Sequence, residues 1–178
     1  FRSKADTDGG TTVVNYDGGY DGELEFYFQE QTYLHKVTVY NVQEFLEKDA
    51  ESDYYIIPAG DAASLVMAIN AASSEPNSKI FLPNGTYDFG EAVLTGISGT
   101  NVSIIGESME GTIIKNAPPI EKEGLEKADL FLNTGTGLYM QDLTLQNALD
   151  YYGAVRAGMG GGRAVCLQDK GKQTVCKN

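Results

Sequence analysis

From Lys79 onward, short strand signals follow one another with no convincing helix among them. They read KIFLPNGTYDFG, NVSIIG, TIIKN, LFLNTG, LYMQDLTLQN, RAVCLQ and QTVCKN, parted by Gly, Asn and Pro. Side chains alternate between the two faces of a strand, so alternating runs have one face for a core and one for solvent. Val102 and Ile104 share a face, Leu143 and Leu145 share another, and Val175 is followed by polar Lys177. The runs are too short and too closely spaced for strands joined by crossover helices, each of which takes about a dozen residues. They fit a chain that coils and stacks strand upon strand. A Thr–apolar–Asn segment also recurs: TIIKN ends at Asn116, TLQN at Asn147 and TVCKN at Asn178, each 31 residues after the last.

Upstream the pattern changes. Residues 11–16, 23–29 and 36–40 are rich in Tyr, Val and Thr and are parted by Gly/Asp turns, which predicts antiparallel strands. Residues 42–48 and 62–72 have helical character. In the second, Asp61 is placed to cap the first turn, and Leu65, Ile69 and Ala72 fall on one face. The polar opening, residues 2–10, reads as a flexible lead-in.

Composition narrows the function. A chain of 178 residues, 42% hydrophobic and 21% charged, is long enough to bury a core. With 21 Gly, 11 Tyr and no Trp, it leans towards strands and turns. A net charge of −12 repels phosphate backbones and anionic lipid, so neither nucleic acid nor a membrane surface is an expected partner. No apolar run approaches the roughly 20 residues of a membrane span. The chain begins at Phe1 rather than Met, which leaves room for an export signal already removed.

Several chemistries fail on inspection. Cys166 and Cys176 flank a polar turn at 169–172 and would need their runs side by side to form a disulfide. The simpler expectation is two free, buried thiols. Two Cys and the distant His35 are too few for a metal site, and no metal or cofactor is expected. His35 itself reads as a strand-surface residue. In GESMEG, residues 106–111, the second Gly comes one residue late for a nucleophile elbow. GMGGGR, residues 158–163, lacks the Gly-Lys-Ser/Thr of a phosphate loop. The acidic run 121–129 reads as a solvated loop or a single helical turn. Asn84-Gly85-Thr86 and Asn101-Val102-Ser103 are glycosylation sequons, informative only in a eukaryotic secreted chain.

The stretch IIPAGDAASLVMAINAASSEPNSKIFLPNGTYDFGEAVL resembles the opening of pectin methylesterases, the carbohydrate esterases that demethylate pectin. Ala68-Ile69-Asn70-Ala71 is similar to that family's "AI-A" helix end, and Pro83-Asn84-Gly85-Thr86-Tyr87 to its "P-GTY" turn. NVSIIGESMEGTIIKN, GTGLYMQDLTLQNA and GRAVCLQ are similar, in the same order, to its "N-ITLIGEG…T-I", "GDGF-ARDITFQNTAG" and "GQAVALR" segments. The resemblance covers residues 54–178, and nothing matches residues 1–53, read as a strand-rich extension with a short helix.

That resemblance implies an all-β fold, a single-stranded right-handed parallel β-helix of the pectin-lyase-like kind, with helix 62–72 capping its N-terminal end. It also implies a secreted, periplasmic or cell-surface protein acting on pectin or polygalacturonate-type polysaccharide without a cofactor. The family uses one carboxylate as nucleophile, another as general acid/base, and a Gln that donates to the oxyanion. The first carboxylate lies in a "YQDTLY" signature that would follow QTVCKN, so no catalytic residue maps onto this chain, which by itself is expected to be inactive. Arg163 stands at the oxyanion Gln position, where a guanidinium could donate to an oxyanion or hold a uronate carboxylate. Gln168, at odd spacing from Arg163, does not inherit that role. Tyr151 and Tyr152, in the loop before Arg163, are the expected sugar-stacking residues. An open coil at the C-terminal end is expected to favour self-association. Two alternatives stand beside the esterase: a non-catalytic module binding acidic polysaccharide or a partner, and part of a calcium-dependent, pectate-lyase-like enzyme, for which no Asp cluster of suitable spacing is present.

Overall fold

A computed structural model describes residues 2–4, 11–13, 20–28, 31–39, 48–124, 126–159 and 163–178, and up to residue 39 the backbone alone. The chain divides into two compact units, Phe1–Phe45 and Leu46–Asn178.

In the first unit, β1 (Arg2–Lys4) pairs antiparallel with β2 (Thr11–Val13), and β3 (Tyr20–Phe28) pairs antiparallel with β4 (Gln31–Val39). The predicted antiparallel pairing is present. The polar lead-in is not wholly loose, however: Arg2, Ser3 and Lys4 lie opposite Val13, Thr12 and Thr11. Strand pairing uses main-chain groups that every non-proline residue carries, so polar side chains do not forbid it. His35 sits opposite Leu24. Residues 42–47 of the first predicted helix lie outside the described residues; Lys48 forms an isolated bridge with Tyr55.

The second unit is built from three parallel sheets. The first contains β5 (Tyr54–Ile56), β6 (Lys79–Leu82), β9 (Ser103–Gly106), β12 (Tyr139–Gln141) and β15 (Val175–Lys177), in that order. The second stacks β7 (Gly85–Asp88), β10 (Thr112–Asn116) and β13 (Thr144–Asn147). The third stacks β8 (Thr95–Ile97), β11 (Phe131–Asn133) and β14 (Leu167–Asp169). From β6 onward the chain visits first, second and third sheet in turn and then begins again, the winding of a parallel β-helix. Register keeps like beside like: Tyr55, Ile80, Ile104 and Met140 share one interior column, and Tyr87 and Ile114 another.

Helix α1 (Ala62–Ala72) forms where predicted. Asp61 accepts from the Ser64 amide at 3.0 Å, and Leu65, Ala68, Ile69 and Ala72 are buried. The helix packs across β6, β7 and β8, so its apolar stripe closes over the first turn of the coil.

Each entry into the first sheet passes through one residue in the left-handed region: Asp53, Asn77, Asn101, Gly137 and Gln173. Asn, Asp and Gly adopt that conformation most readily. Just ahead of it, Gly99, Gly135 and Gly171 stack on one another. A Cβ on Gly135 would lie 2.3 Å from the Gly99 carbonyl oxygen, and one on Gly171 2.5 Å from that of Gly135. No side chain fits between turns that close.

The Thr–apolar–Asn recurrence is half structural. Asn116 and Asn147 are register partners in the second sheet, whereas TVCKN runs through β15 in the first. The Asn116 amide donates to the carbonyls of Ala92 (2.9 Å) and Ala128 (3.4 Å), and the Asn147 amide to those of Ala128 (2.6 Å) and Val165 (3.1 Å). Together the two side chains tie three successive turns at the same corner.

The expected buried disposition of the thiols needs correcting. Both are free, but Cys166 is half-buried and Cys176 exposed. They do not lie side by side, since β14 pairs with β11 and β15 with β12. Cys176 caps the Met140 column in the edge strand, where nothing described covers it.

Candidate functional site

Three connections lead from the second sheet to the third, and they lengthen along the coil: residues 89–94, 117–130 and 148–166. Extra length on a rigid scaffold is where a β-helix has freedom to build a site. The second connection contains a 3-10 turn (Ile120–Lys122). The third contains α2 (Tyr151–Arg156), a short helix that sequence reading assigned to a loop. Its start was legible: Asp150 caps it, accepting from the Gly153 amide at 2.8 Å. One glycine and two tyrosines in its six residues give it weak helix propensity.

Helix α2 packs against the 3-10 turn, burying Ala154. On its outer side Tyr151, Tyr152 and Val155 are 51%, 72% and 46% exposed, an apolar and aromatic patch on an otherwise acidic chain. The two tyrosine rings meet edge to face, centroids 5.2 Å apart and planes at 79°.

Arg163 closes the same connection. Its backbone N–H and its Nε–H both donate to Glu123 Oε1, at 3.0 and 3.3 Å, while Gly124 N–H donates to the Arg163 carbonyl at 2.9 Å. The two longer connections are thus laced together. The Glu123 side chain is only 7% exposed, whereas that of Arg163 is 59% exposed. Sequence reading placed Glu123 in a solvated acidic run and missed this pairing, because the partners are far apart in sequence and meet only when two turns stack.

The second connection also holds an acidic group that the sequence did not single out. Asp129 is 1% exposed, and neither carboxylate oxygen accepts a hydrogen bond of good geometry. Burial holds its pKa above the usual carboxylate range. The Glu126 amide opposes that shift, the Glu126 charge adds to it, and Lys170 reduces it. Burial likewise pushes the Cys166 thiol up; the Asn147 amide offsets part of this and the Asp129 charge adds to it, so Cys166 is a poor nucleophile. The sulfur donates to the Leu145 carbonyl at 3.5 Å.

A separate groove of about 370 Å³ lies on the outer face of the first sheet, lined by Ser52, Tyr54, Ile56, Phe81 and Ile105. Its described lining holds no carboxylate, amine or thiol, so it supports no acid–base chemistry. Among the described residues, no three His, Cys, Asp or Glu side chains are grouped to hold a metal ion. No helix there is long and apolar enough to cross a membrane.

The fold defines the class: a parallel β-helix with its variable connections gathered at one corner. No family model and no curated protein matches the chain. Among solved structures, it is similar to a point mutant of a pectin methylesterase in complex with hexasaccharide IV. That likeness has a TM-score of 0.50 and 20% identity over 63% of this chain and 36% of that one. It is also similar to a pectin methylesterase in complex with hexasaccharide VII, with a TM-score of 0.47 and 19% identity over 61% of this chain and 36% of that one. This chain therefore spans about a third of the proteins it matches, and the first likeness places its coil among pectin methylesterase folds.

Proposed function

We propose that this chain is the N-terminal part of a pectin methylesterase-like carbohydrate esterase, exported from the cell, that hydrolyses methyl esters of polygalacturonate. Its coil is single-stranded and right-handed. The observation that carries the reading is the agreement between two independent lines: motifs in matching order over residues 54–178, and a likeness in fold to a pectin methylesterase bound to a hexasaccharide. In this reading Tyr151 and Tyr152 offer a stacking surface and Arg163 the hydrogen-bond donors of the substrate cleft. No carboxylate of this chain stands where the family's nucleophile or its general acid/base would be, so this segment is the scaffold and one wall of the site.

The test is methanol release from highly methylated pectin by the folded 178-residue chain, with oligogalacturonide binding measured alongside. We expect binding without release. Release well above a buffer blank would overturn the assignment of the chemistry to residues outside this chain. Absence of binding by folded protein would overturn the carbohydrate reading.

A further inference from the structure

Arg163 carries a guanidinium able to tell a uronate carboxylate from its methyl ester, and Glu123 decides how. An exposed, unpaired guanidinium would favour the free acid, taking a carboxylate bidentately along its Nε/Nη edge. Here that edge is occupied. Glu123 Oε1 accepts from both the backbone N–H and the Nε–H of Arg163, and the Glu123 side chain is 7% exposed against 59% for Arg163. The carboxylate is therefore fixed, and the arginine presents its remaining donors outwards. The lacing of the two connections, through Gly124 N–H to the Arg163 carbonyl and the packing of α2 on the 3-10 turn, keeps the pair from rearranging when a ligand arrives.

We propose that Glu123 is a specificity-determining residue that makes the Arg163 position select methyl-esterified over free-acid galacturonate. The inference rests on the carbohydrate function proposed above. A free carboxylate arriving at Arg163 meets a pair of no net charge and, beyond it, a chain of net charge −12, so it gains little attraction and loses its hydration. A methyl-esterified unit is neutral. Its ester carbonyl needs only a donor, which the Nη groups supply without any charge being desolvated.

Calorimetric titration of the 178-residue chain with fully methyl-esterified and with free-acid hexagalacturonate, at neutral pH and low ionic strength, tests this. Wild type should prefer the ester. Glu123→Gln should tighten free-acid binding about tenfold by freeing a charge-assisted edge, with little change for the ester. Glu123→Gln combined with Arg163→Gln should lose that gain, and about 0.5 M salt should erase most of it. A merely structural role for Glu123 would move both ligands together, and that result overturns the proposal, as does a wild-type preference for the free acid. Should the Gln variant fail to fold by circular dichroism, Glu123→Asp, which withdraws the carboxylate by one methylene, should shift the preference in the same direction by less; no shift overturns the proposal. If folded wild type binds neither hexasaccharide, the carbohydrate reading falls and this inference with it.

Discussion

The stacked strands and the connections between the second and third sheets follow opposite rules. In the strands, each turn of the coil repeats the one before: Ile80, Ile104 and Met140 share a column, and so do Thr95, Phe131 and Leu167. In the connections no two turns agree. One is a bare link, one contains a 3-10 turn and a buried acid, and one contains a helix with exposed tyrosines. Polar accounting differs in the same way. The buried side-chain oxygens left without a partner among the described residues are Asn116 Oδ1 and both oxygens of Asp129, all at this corner. Repetition lets each turn satisfy the next, and a connection that departs from repetition gives up that guarantee. The contrast separates the part of the molecule that holds it together from the part free to acquire a function.

Breaking the repeated part should cost most. Phe131 is fully buried, packed edge to face on Phe89 at 5.7 Å between centroids. Phe131→Ala should destabilise the second unit by about 4 kcal/mol, as large truncations in tight cores do. Denaturant unfolding followed by circular dichroism measures it. A loss below about 1 kcal/mol would mean that the columns are looser than their burial implies.

The asparagine corner sharpens the contrast. Asn147 Oδ1 accepts from the Leu149 amide at 3.1 Å, and Asn133 Oδ1 from that of Gly135 at 3.0 Å, each two residues on. For Asn116 the residue two on is Pro118, which has no N–H, so Asn116 Oδ1 is orphaned by a single residue choice. Asn147→Ala should therefore cost about 2 kcal/mol, since it forfeits bonds on both ends of its amide and leaves two carbonyls short. Asn116→Ala removes an unsatisfied acceptor along with its donors and should cost less. The reverse ranking in the same unfolding experiment would sink the proline explanation.

How much of this was legible in the sequence follows the same division. Alternation within short runs announced the strands, and Asp61 with its apolar stripe announced α1, because those signals are local. The coil's own repeat was present but hidden. Gly99, Gly135 and Gly171, each two residues ahead of a left-handed position, mark successive turns, yet the last such position is Gln173 rather than Asn or Gly. The Asn recurrence stood out more and mixed two sheets. Tyr151, Tyr152 and Arg163 could be named from resemblance, whereas Glu123 and Asp129 could not. Their importance comes from burial, which depends on a neighbouring turn that no local window contains.

The smallest effect concerns Asp129 and has a sign that depends on pH. Unfolded, its carboxyl ionises in the ordinary carboxylate range; folded, burial keeps the proton on to higher pH. Below the unfolded value both states are protonated and nothing is lost. As pH rises from there, the unfolded chain ionises freely while the folded chain does not, so stability falls until the folded group ionises too, and stays lower above that point. Asp129→Asn removes this dependence. Carboxylates whose pKa folding lowers, such as Asp61, Asp88 and Asp169, act in the opposite direction, but they are common to both proteins and cancel in the difference. The variant should gain about 1 kcal/mol on wild type between acid and neutral pH, the low end of what an unsatisfied buried polar group costs. Paired urea titrations across that range give the difference curve directly. A flat curve would mean that Asp129 finds a partner when ionised, and the contrast between repeated strands and unsatisfied corner would then lose its clearest instance.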